Sequence, residues 1–213
     1  MTKLTNVTQV KEYLHGLKAV IFDLDDTLYG EKEYVRSGYR AIAKEVPQVA
    51  QMEEKLWKAF EEKKSAIDAV LCEEGIYSEE EKQRCLNIYR FHQPEITLYE
   101  GVAELLEWLR KQGYGIGIIT DGRPEGQRAK IKALGLETMV DYIVVTDELG
   151  GVEYRKPNKT AFIKIQEFFG VPFEEMCYIG DNIKKDFIAP RLLHMKSFWL
   201  KNEDGLYFEA VKG

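Results

Sequence analysis

The sequence predicts a doubly wound α/β fold: a Rossmann-like, mainly parallel sheet of five strands with an α-helical segment inserted into it. Three observations lead there. Five short runs are apolar almost without interruption, as in strands covered on both faces. Helix-like segments separate them, one with proline near its start and glycine after its end. One long stretch, from about Glu31 to Pro94, holds no strand-like run.

The first run, Ala19–Leu24, follows a segment, Thr5–Leu17, that reads as a short helix. The second is Gly115–Thr120. After it comes a helix with Pro124 near its start, Ala129, Ile131 and Leu134 on its apolar face, and Gly135 past its end. The third run is Tyr142–Thr146. A helix over Lys159–Phe169 follows, with Ala161, Phe162, Ile165, Phe168 and Phe169 at helical spacing. The runs Met176–Gly180 and Ser197–Lys201 complete the set. In the inserted stretch, Pro47, Gly75 and Pro94 divide helical segments. Leu56, Trp57, Phe60, Ala66, Ile67, Val70 and Leu71 read as the buried stripe of one helix. The boundaries expected are a core of residues 1–29 and 98–213, with 30–97 as the insert.

A net charge of −6 is spread along the 213 residues, without the clustered Lys and Arg of a nucleic-acid surface. No apolar run approaches the roughly 18 residues of a membrane span, and no secretory leader is visible. Cys72, Cys85 and Cys177 have no metal-like spacing and read as reduced thiols. The expectation is a cytoplasmic protein that engages neither nucleic acid nor membrane; the oligomeric state is not legible.

In open parallel sheets, ligands bind beyond the carboxyl ends of strands. The first run ends in Asp23-Leu24-Asp25-Asp26-Thr27, the second in Thr120-Asp121-Gly122-Arg123, and the fourth in Gly180-Asp181, with Asp186 shortly after. The segment after the third reaches Arg155-Lys156-Pro157. Each alone has an ordinary reading as a helix cap, a turn or a solvated lysine. Together they set acids, a hydroxyl and a lysine at one edge of the sheet.

This ordered set resembles the haloacid dehalogenase (HAD) superfamily of phosphohydrolases. The first motif of that family, Asp-x-Asp-x-Thr/Val, matches Asp23, Asp25 and Thr27. Its second, a Ser or Thr ending the next strand, matches Thr120; its third, a lysine often before proline, matches Lys156-Pro157. Its fourth, Gly-Asp and a later acid, matches Asp181 and Asp186. The insert after the first motif then corresponds to a helical cap.

The resemblance implies a Mg²⁺-dependent phosphatase acting on a small phosphorylated metabolite, a sugar phosphate or nucleoside monophosphate, through an aspartyl-phosphate. Asp23 would be nucleophile and metal ligand, and Asp25 acid/base and main-chain metal ligand. Asp181 would bind the metal, with Asp186 positioning metal-bound water or holding Lys156. Thr120, Asp121, Gly122, Arg123 and Lys156 would meet the substrate. A phosphomutase shares these motifs, and a silent ligand-binding member stays open. Asp26 reads as a loop or capping residue. Two departures stand out: many relatives have Asn where Asp121 stands, and Pro190 removes a donor at the start of the helix after the fourth motif.

Overall fold

The computed structural model describes residues 1–208. It divides into two compact units, Met1–Glu31 with Thr97–Gly213, and Lys32–Ile96. The first unit is built on a six-stranded sheet in the order β1-β6-β5-β2-β3-β4, with every pairing parallel. The strands are β1 (Thr2–Leu4), β2 (Ala19–Phe22), β3 (Gly115–Thr120), β4 (Tyr142–Val145), β5 (Met176–Gly180) and β6 (Lys196–Leu200). Five of them match the expected runs to within one or two residues. The sixth, β1, is an edge strand of three residues, too short for any periodicity to announce. The segment expected as a helix over Thr5–Leu17 is a 3₁₀ helix, Val7–Tyr13, in which Asn6 and Gln9 cap each other's backbone.

β2 lies between β5 and β3. Its four residues are buried on both faces, which explains the unbroken apolar run. Strand order reverses at β2, so the carboxyl ends of β2, β3 and β5 border the crevice where such sheets take ligands. Helices α5 (Val102–Lys111), α6 (Pro124–Ala133), α7 (Thr160–Phe169) and α8 (Ile188–Leu192) connect the strands. α5 is not among the elements expected from the sequence. Pro190 sits inside α8, which is only five residues long. One core cluster gathers Ile21, Ile119, Phe162, Ile165, Tyr178 and Phe187.

In the second unit, Lys32–Ile96, the chain is helical: most of α1 (Glu31–Glu45), then α2 (Met52–Glu61), α3 (Ala66–Glu73) and α4 (Glu79–Phe91). Leu56 and Leu71 do share one core with Tyr39, Ile42 and Cys85. The stripe expected on a single helix is divided between α2 and α3, however, by a turn with Lys63 at φ 59°. Neither glycine nor proline marks that break, so the pattern concealed it. Gly38 of α1 lets α4 approach closely: a Cβ there would fall 2.5 Å from the Tyr89 ring.

Candidate active site

Asp23 is the first residue past β2, and its N–H still donates to the Ile179 carbonyl at 2.8 Å, extending the ladder by one bond. This anchors its backbone rigidly beside β5. Lys156 arrives from the loop after β4 and is buried. Its Nζ donates to Asp23 Oδ1 at 2.7 Å and to the Tyr178 hydroxyl at 2.9 Å, and lies 2.9 Å from Asp186 Oδ1. Burial works against the ammonium form, but the charges of Asp186 and Asp23 outweigh it and hold Lys156 well above its ordinary range.

Asp23, Asp181 and Asp186 each offer a carboxylate oxygen within 4.8 Å of the others. Burial first, then repulsion from Asp23 and Asp186, pushes Asp181 up to about 9. Burial likewise pushes Asp23 up to about 7 against the pull of Lys156. Asp186 Oδ2 accepts the Asn182 N–H at 2.9 Å, whereas Oδ1 has the Lys156 ion pair but no bond of hydrogen-bonding geometry. The carboxylate lies so close to Gly180 that a Cβ there would meet Oδ2 at 2.5 Å. Three converging carboxylates against one ammonium, with a buried oxygen short of a donor, suit a hard divalent cation such as Mg²⁺.

Asp25 lies outside that group. Its carboxylate accepts from Lys130 Nζ at 2.8 Å, from Gln127 Nε2 at 2.9 Å, and from the Tyr29 hydroxyl. Burial would raise its pKa, but Lys130 outweighs it, helped by Tyr29 and Gln127, and the group stays below the usual carboxylate range. The cation that counters the rise is Lys130, from α6. Gln127 Nε2 also donates to Thr120 Oγ1, leaving the buried hydroxyl's own proton for another acceptor.

Asp121 is fully engaged. Oδ1 accepts from Thr146 Oγ1 and from the Lys156 backbone N–H, both at 3.0 Å, and Oδ2 accepts from Lys185 Nζ at 2.8 Å. Its charge is therefore paired, and it tethers the loop that carries Lys156. Gly122 turns the chain at φ 143°, and Arg123 stands exposed as the residue before α6. Lys130, Gln127, Tyr29 and Lys185 are not among the site residues expected from the sequence. Lys130 and Gln127 are three apart in α6 and so share a face, but a polar helix face is the ordinary pattern of solvent exposure.

Fold and site together define a parallel α/β enzyme whose centre sets buried Asp23 and Asp186 and half-buried Asp181 around a buried lysine. The chain belongs to the haloacid dehalogenase-like hydrolase family, whose profile matches residues 20–200. It is 29% identical over 185 residues to a glyceraldehyde 3-phosphate phosphatase of Methanopyrus kandleri, covering 80% of this chain and 78% of that protein. It is also 29% identical over 170 residues to the pyrophosphatase PpaX of Bacillus cereus, covering 78% and 75%. Among solved structures, the putative HAD-hydrolase YfnB of Bacillus subtilis, bound to magnesium, shares the fold with a TM-score of 0.61, 23% identity and 86% of each chain covered. No helix among the described residues is long and apolar enough to cross a membrane.

Proposed function

We propose that the protein is a Mg²⁺-dependent phosphatase of a small phosphorylated metabolite, a sugar phosphate or nucleoside monophosphate, working through an aspartyl-phosphate on Asp23. The observation that carries this reading is the division of labour between buried Asp23 and half-buried Asp25. Asp23 is bonded to Lys156 beside Asp181 and Asp186, while Asp25 is held separately by Lys130, Gln127 and Tyr29. The names of the similar proteins above, a glyceraldehyde 3-phosphate phosphatase and a pyrophosphatase, support a small phosphorylated substrate.

A phosphate dianion repels an attacking carboxylate by about 4 kcal/mol per charge pair at about 4 Å and an effective dielectric near 20. Lys156 lowers that barrier by sharing its charge between Asp23 and the incoming phosphate. Mg²⁺ held by Asp23, Asp181 and Asp186 would add Lewis-acid polarisation of the phosphoryl oxygens. Thr120 donates its hydroxyl proton to a phosphate oxygen. An Asp23 oxygen forms a bond to phosphorus as the ester P–O bond breaks, and Asp25 delivers a proton to the leaving oxygen. Asp25 is an anion at rest, so it takes that proton from solvent when the dianionic substrate binds beside it, and returns a proton to solvent after the second step. In the second step it removes a proton from water as water attacks phosphorus, releasing phosphate and restoring Asp23.

The test is turnover of an aryl phosphate and a panel of phosphometabolites with Mg²⁺, comparing wild type with Asp23→Asn. The reading predicts at least about a 10³-fold loss in kcat for the variant. Equal activity in both proteins, or none in the wild type on any compound, overturns it.

A further inference from the structure

We propose that Asp26 is a positioning residue for the reaction, and that the chain segment Asn202–Phe208 acts through it to hold the turn that carries Asp23 and Asp25. Asp26 is almost wholly buried, and three separate connections meet on it. Its Oδ1 accepts the N–H of Glu31 at 2.9 Å, the first residue of α1. Its Oδ2 accepts the N–H of Leu206 at 2.7 Å. Its main-chain carbonyl accepts from Asn202 Nδ2 at 2.9 Å, and that same nitrogen lies 2.8 Å from the Tyr99 hydroxyl. Two of the three come from a segment more than 170 residues downstream.

The backbone at Asp26 is left-handed, with φ 53°. A residue other than glycine holds that conformation only where its surroundings enforce it, and aspartate tolerates it better than most. Here the enforcing groups are the amides of Glu31 and Leu206 and the Asn202 side chain. Asp25 is the next residue back, so any relaxation at Asp26 rotates the peptide that carries the acid/base. A buried carboxylate that loses an amide donor loses part of what holds it, and the turn shifts in response. The same segment brings Tyr207 within electrostatic reach of the centre. Its phenol is raised above its ordinary range by Glu31 first, with burial and the charges of Asp25 and Asp181 acting the same way against Lys185.

This inference rests on the phosphatase reading for its kinetic arm alone. Leu206→Pro deletes the donating N–H, whereas Leu206→Ala keeps it and serves as the matched control. The expected result for Leu206→Pro is a fall in kcat of about ten- to a hundred-fold with KM within about twofold of wild type. Its Tm should match that of Leu206→Ala, and amide exchange over residues 23–31 should be faster. Leu206→Ala should behave as wild type in all four measurements. Asn202→Ala, which removes the bond to the Asp26 carbonyl, should move kcat and exchange in the same direction should Leu206→Pro not fold. Equal kcat and equal exchange in the proline variant and its control overturns the proposal. So does a kcat loss that the alanine control shares. A wild type without phosphatase activity sinks the functional reading instead, and the exchange comparison then decides this one alone.

Discussion

Lys130 and Gln127 reach Asp25 from one face of α6, and their effect can be read through pH. Asp25 is held low chiefly by Lys130 acting against burial. In Lys130→Met, burial is left with less opposition, so the Asp25 pKa must rise. In the proposed mechanism, the step in which Asp25 would act as base needs the anion, so the acid limb of the pH–rate profile should move to higher pH. Lys130→Arg should restore most of the wild-type profile. An unmoved acid limb in Lys130→Met contradicts the assignment. At Gly180, an added Cβ meets the Asp186 carboxylate at 2.5 Å. Gly180→Ala should cost about 1–3 kcal/mol of stability, measured by denaturant unfolding, because a buried group has to move. The convergence of Asp23, Lys156, Asp181 and Asp186 was legible in the sequence because acids and a lysine follow runs that pair as neighbouring parallel strands. Lys130, Gln127 and Lys185 were not, because a lysine or glutamine on a helix or in a turn looks solvated until tertiary structure buries it.

At the scale of elements, the strands were legible because β2, β3 and β5 are covered on both faces and read as continuous apolar runs. The division between α2 and α3 was hidden because Lys63 adopts a left-handed turn without glycine or proline to mark it. Gly38 yields a prediction at this scale. Alanine normally favours a helix over glycine by about 1 kcal/mol. Here the added methyl meets the Tyr89 ring at 2.5 Å and wedges α1 from α4. Gly38→Ala should therefore lower stability by about 1–3 kcal/mol rather than raise it, as read by calorimetry. A raised Tm would show that the ring yields freely.

For the whole molecule, the site couples stability to protons. The folded-state pKa values of Asp23, near 7, and Asp181, near 9, lie above the ordinary 3.8. Between about 4 and 9 these groups bind more protons in the folded than in the unfolded chain, so their contribution to stability falls as pH rises. Above that window both are ionised and crowded, which is the state a divalent cation relieves. Mg²⁺ should raise Tm more at pH 9 than at pH 6, measured by calorimetry with and without the ion. Asp121 runs the other way. Burial raises it, but Lys156 and Lys185 outweigh burial, so its stabilising contribution is present above 3.8 and is lost as pH falls below that.

The central claim is that Asp23 attacks phosphorus. Asp25→Asn lacks the base for the second step and should accumulate the first product. After mixing with a good aryl phosphate substrate and Mg²⁺, acid quench and peptide mass analysis should find a covalent phosphoryl group on Asp23. A phosphoryl group on another residue, or free phosphate released at the wild-type rate with no adduct, would contradict the account.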